Sequence, residues 1–138
     1  MRTTLITLLL AATLPGFSAE APHPLDVQFG KIDTHNASTA EVRENLELAL
    51  EAWDKELNAH YAALMKLLPK ASADSLRASQ RKWIELRDAE FVFIESFRDN
   101  LEGSMFNAFI AAHQKNFVRE RALWLKKFHD LWKEFKTP

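Results

Sequence analysis

Cysteine is absent from the 138 residues. That excludes disulfides, thiol catalysis, cysteine-ligated metals and a lipidated N-terminal cysteine. Glycine and proline are scarce, three and five respectively, and the prolines stand before residue 25 or beside apparent helix ends. Long uninterrupted helices are therefore expected. The formal net charge is only −1, so no global attraction draws the chain to nucleic acid or to an anionic membrane. No Gly-rich phosphate loop, nucleophile elbow or HExxH motif occurs. Glu56 and His60 are one helical turn apart and His113 stands on an apolar stripe, but two histidines on separate helices make no metal set. No carboxylate pair is marked out for acid–base work. The expectation is a protein without cofactor that is not an enzyme.

What is present begins with a leader. Arg2 precedes an apolar run from Leu5 to Leu14, then Pro15, Gly16 and small residues through Ala21. This layout predicts a secretory signal peptide over 1–19, cleaved somewhere after residues 18–21. The run is about half of the roughly 20 residues that span a bilayer. A periplasmic or secreted protein is expected. Residues 20–37 carry two prolines, one glycine and no helical period, and read as a flexible, irregular arm. Val27, Phe29 and Ile32 are the groups with which it could dock.

The globular part, 38–138, reads as all-α. Ser38 or Thr39 can cap a helix, and Glu41 completes a capping box with Ser38. Val42, Leu46, Leu50, Trp53, Leu57, Tyr61, Leu64 and Leu68 then follow a four/three spacing until Pro69 stops it. A second helix should start at Ser72 or Asp74 and run to Leu101. Its apolar edge is Leu76, Trp83, Phe91, Ile94 and Leu101, widened by Ile84, Val92, Phe93 and Phe97. A third should run from Ser104 to Phe135 along Phe106, Ile110, His113, Phe117, Arg121, Trp124, Phe128, Leu131 and Phe135. Short links make consecutive helices antiparallel neighbours. The fold expected is an antiparallel bundle of three long helices, each about 45 Å, after the signal peptide and arm.

Charge differs between these helices, the first acidic and the third basic. The outer row Glu41, Glu44, Glu47 and Glu51 is a candidate partner-binding face, although a solvated helix surface explains it as well. The basic last helix, with Lys126, Lys127, Lys133, Lys136, Trp124, Phe128 and Trp132, suggests lipid. Most of those aromatics are expected in the core, so membrane contact is not expected.

The segment SQRKWIELRDAEF, 79–91, organises the rest. Gln80, Trp83, Arg87 and Phe91 share one side of a helix. Asp54, Leu57, Asn58 and Tyr61 precede it, with Leu76, Gln80, Trp83, Arg87 and Asp88 next and Gly103, Ser104, Arg121, Ala122 and Leu125 after. This succession, over about 40–128, resembles the LprI family of lysozyme inhibitors. The resemblance implies an exported helical protein that binds lysozyme and occludes its cleft. A periplasmic interaction or stress module of the same fold is the alternative. Cysteines of the family pattern fall at Phe91 and His113, with another near Leu46. If the first two pair in the family, packing replaces a covalent staple here. Asp54, Asn58, Tyr61, Gln80, Trp83, Arg87, Asp88 and Arg121 read as structural residues that fix helix register. Arg87 and Arg121 should reach carboxylates such as Asp54 or Asp88, because a buried guanidinium without a partner is costly. The sequence leaves the oligomeric state open.

Overall fold

A computed structural model describes residues 21–136. The expected signal segment lies outside them. The described chain is helical, with no strand: α1 (Pro24–Phe29), α2 (Thr39–Leu67), α3 (Lys70–Asn100) and α4 (Met105–Lys136). The three long helices expected are present, and a short fourth joins them. The difference is α1, which forms in the arm read as irregular. Pro24 occupies the first turn, where its missing N–H costs nothing. The His23 side chain accepts from the Leu25 amide, and Asp26 favours the positive helix start.

α2 begins as the sequence indicates. Ser38 caps it, and the Glu41 side chain accepts in return from the Ser38 amide at 2.8 Å, closing the capping box. α3 starts earlier than expected, with Pro69 rather than Ser72 or Asp74 at its N-cap. The Pro69 carbonyl accepts from Ala73 at 2.9 Å. Asp74 instead takes Lys70 and Arg77 from its own helix. Gly103 has φ +115°, a conformation that glycine adopts without a Cβ clash. It turns the chain into α4.

The core lies chiefly between α2 and α4. Trp53, Leu57, Ile110, Val118 and Leu125 are its largest fully buried side chains, and Ala49, Ala111 and Ala122 are buried beside them. Those alanines let the two backbones approach closely. α3 adds Ala73, Leu76 and Gln80 to the buried set, and then stands off on larger side chains. Trp83 stacks on Phe117 at 5.7 Å, and Phe91 meets Phe117 edge-on at 6.2 Å.

This arrangement corrects two of the expected stripes. On α4 the buried line is Ile110, Ala111, Val118, Ala122 and Leu125, whereas Trp124, Phe128, Leu131 and Phe135 are exposed. On α3, Ile84, Val92, Phe93, Phe97 and Leu101 are exposed as well. The reason is steric. Small residues give α2 the tightest seat on α4, so the aromatic stripes face the looser α3 side or solvent.

Candidate functional site

The residues singled out by sequence fall into three separate groups. Gln80, Trp83, Arg87 and Arg121 meet where α3 crosses α4. Gln80 is 7% exposed, and its Oε1 accepts from Arg121 Nε at 3.0 Å. Arg121 also donates to Ser79 Oγ at 3.2 Å and lies 4.5 Å above the Trp124 ring. Arg87 covers Trp83 at 5.6 Å and donates to Asp88 at 2.7 and 2.9 Å. Burial draws the Arg121 guanidinium below its usual pKa. The expected carboxylate for Arg121 is therefore an amide and a hydroxyl instead. A neutral acceptor satisfies the buried N–H groups without burying a second charge.

Asp54, Asn58 and Tyr61 stay on α2. Asn58 donates to the Asp54 carbonyl at 2.8 Å and carboxylate at 3.0 Å, and Tyr61 packs half-buried against the core. The acidic row is exposed throughout, but its members differ in duty. Bonds from the Ser38 side chain and backbone hold Glu41 below its ordinary pKa, and Glu47 lies 3.7 Å from Arg43. Glu44 and Glu51 complete the row.

One cluster escaped the sequence reading. Asp26 of α1 accepts two hydrogen bonds from the Arg119 fork, at 2.7 and 2.5 Å. Arg119 in turn lies 5.4 Å over the Trp53 ring. The Arg119 hydrogen bond holds the Asp26 carboxyl below its usual value, and the same bond raises Arg119. The His23 ring lies 4.5 Å from that of Trp53, tilted by 40°, and Asn45 donates to the Phe29 carbonyl at 2.9 Å. Nearby, His23 Nε2 and His60 Nε2 lie 3.6 and 3.0 Å from Glu56 Oε1. His129 follows at 5.9 Å from the His60 ring. Among the described residues no three histidines or acids are placed to hold a metal ion. Pro24, Asp26 and the Leu25/Phe29 spacing were the available signal for α1.

The contacts also order the helices. Trp53 lies beneath Arg119 and His60 beside His129, so numbering rises together along α2 and α4. Along α3 it falls, from Gln80 beside Arg121 to Glu95 beside Gln114. Charge follows this order. Segments 39–52 and 85–114 come together at one end with ten acids and three bases. Segments 53–84 and 115–136 form the other end with six acids and thirteen bases. The nearly neutral chain is polarised end to end. At the basic end, Trp124, Phe128 and Trp132 line an apolar groove of about 280 Å³ with Leu64, Leu68 and Leu76. The expectation that these aromatics fill the core does not hold.

Residues 32–125 match the family model described as lysozyme inhibitor LprI. The chain belongs to the LprI family. A crystal structure of an uncharacterised protein from Burkholderia thailandensis is similar, with a TM-score of 0.76 and 27% identity. The match covers 83% of this chain and 57% of that one, so this chain spans little more than half of that relative. No curated protein matches. The LprI match holds all of α2 and α3 and most of α4, including every residue of the acidic end. α1 precedes it.

Proposed function

We propose that this LprI-family protein is exported to the periplasm or beyond, binds lysozyme and blocks its substrate cleft, acting by occupancy rather than turnover. In this reading the three long helices form an antiparallel bundle. The observation that carries the proposal is the acidic end, which lies wholly within the matched segment. Lysozymes present basic surfaces, and an opposed field speeds encounter and favours the correct approach. Glu44, Glu47 and Glu51 contribute on α2. Glu41 adds charge but also secures the helix start.

A lysis assay tests this. The mature chain, titrated against a c-type lysozyme, should inhibit at roughly stoichiometric amounts, more strongly at low than at physiological salt. Glu44→Lys with Glu51→Lys should weaken inhibition chiefly at low salt, whereas reversal at Glu41 would confound charge with the cap. No inhibition across a panel of lysozyme types would sink the proposal and favour an interaction or stress module of the same fold.

A further inference from the structure

At the acidic end, the hairpin of α3 and α4 exposes more apolar surface than folding requires. Phe93, Met105 and Phe109 are 60%, 68% and 54% exposed, and Phe97 and Leu101 are 42% and 39% exposed. Phe93, Phe97 and Leu101 recur every four residues, as do Met105 and Phe109, so each set keeps to one side of its helix. The pairings of Trp83 with Phe117 and Glu95 with Gln114 bring Phe97 about level with Phe109, and Leu101 with Met105. On α4 this side points away from the buried line that seats α2. Rings already cluster on it: Phe93 meets Phe97 edge-on at 5.2 Å, and Phe109 lies 4.3 Å from His113. Large exposed apolar side chains gathered at one end of a molecule in this way mark an interaction site.

We infer that this hairpin face, with its acidic surround, is the anchor that docks on a basic protein surface, which is lysozyme if the proposed function holds. The charge selects the partner. Segment 85–114 carries six acids against two bases. Two copies meeting face to face would bring these like charges together, and an anionic lipid surface would repel them. A basic protein satisfies both parts, with aromatics at the centre and charge at the rim. The division of labour follows. The acidic row on α2 acts at a distance and sets the association rate, whereas Phe97 and Phe109 act on contact and set the residence time.

The test measures lysozyme binding kinetics and inhibition for the mature chain and for Phe97→Ser, Phe109→Ser and the double variant. Circular dichroism and thermal midpoints check folding, which substitutions at these exposed positions should leave intact. The expected result is at least a tenfold faster dissociation in the double variant at physiological salt, with association changed less than threefold. Glu44→Lys with Glu51→Lys should instead slow association, most of all at low salt, and leave dissociation nearly unchanged. Inhibition by the parent chain with unchanged dissociation in folded serine variants would overturn the hairpin assignment and leave the proposed function standing. Binding without inhibition, still lost in the serine variants, would overturn the function and keep the hairpin. No binding would overturn both. Sedimentation that showed salt-sensitive head-to-tail self-association, abolished by the same serine changes, would also overturn the assignment, because the basic end of a second copy would then be the partner.

Discussion

Asp26→Asn probes what fastens α1 to the bundle. Six residues cannot sustain a helix in water, so α1 persists through its contacts. Foremost is the two-pronged bond from Arg119, whose partners are 26% and 31% exposed at their side chains. Hydrogen bonds to charged groups contribute about 1.5–3 kcal/mol, whereas exposed ion pairs contribute about 0.2–1 kcal/mol. The partial burial places this pair between them, at about 1–2 kcal/mol. Asparagine keeps the shape but loses the charge and one acceptor oxygen. Opening of α1 should then become about 5- to 30-fold more frequent, at 1.4 kcal/mol for each factor of ten. Hydrogen exchange at the Val27 and Gly30 amides reads this directly, since they bond to His23 and Asp26 carbonyls within α1 and its cap. The urea midpoint should move little, because the α2–α4 core is untouched. Acid should reproduce the effect. The folded-state pKa of Asp26 lies below its unfolded value near 3.8. The pair's contribution is therefore full above that value and is lost as pH falls through the depressed one. Below about pH 4 the parent chain should lose α1 protection while Asp26→Asn, already lacking the pair, changes less. Equal exchange rates in parent and variant at neutral pH would refute the reasoning.

Two further substitutions examine the bundle itself. Gln80→Leu leaves Arg121 Nε without its acceptor and should cost about 1–3 kcal/mol in urea denaturation, whereas Arg87→Leu, whose partner Asp88 is 61% exposed, should cost less than about 0.5 kcal/mol. A larger loss at Arg87 than at Gln80 would show that the wrong guanidinium had been assigned to the lock. Ala122→Leu adds three carbons at a position with 0% exposure and should cost about 1–3 kcal/mol by overpacking. Unchanged stability would mean that α2 and α4 are not held together by close backbone approach.

Sequence carried the fold furthest where one physical rule acted alone. The α2 start was legible because Ser38 and Glu41 satisfy each other locally, and its stripe was legible because the periodic positions Trp53, Leu57 and Leu64 are themselves the buried ones. α4 was misread because periodicity weighs Trp124 and Phe128 above Ala111 and Ala122. Yet closeness of approach, which small residues control, decided which line was buried. α1 was missed because its docking partner, Arg119, lies far along the chain, and no local pattern encodes that pairing. The charge asymmetry was visible only helix by helix. That it is organised by end required knowing which halves of α2, α3 and α4 lie together.

The missing cysteines bear on the same end. On the resemblance drawn from the sequence, the family pattern would place cysteines at Phe91 and His113 of this cysteine-free chain. If such cysteines pair across the helices, Phe91 supplies a noncovalent counterpart of that link through its edge contact with Phe117. His113 supplies none: it is exposed, and its ring lies tilted beside Phe109 of its own helix. An aromatic pair contributes about 0.5–1.5 kcal/mol beyond its area, against about 2–4 kcal/mol for a disulfide. The crossing of α3 and α4 near Trp83 and Arg121 thus keeps its hold. Past Phe91, the Gln114–Glu95 bond and the Gly103 turn bear more of the connection. Local opening is expected to concentrate where few side chains are buried, as at this hairpin with its exposed phenylalanines. A face so built can adjust to a partner, but ordering it on binding costs affinity. The steering charge around it then matters more, because a faster encounter offsets part of that loss.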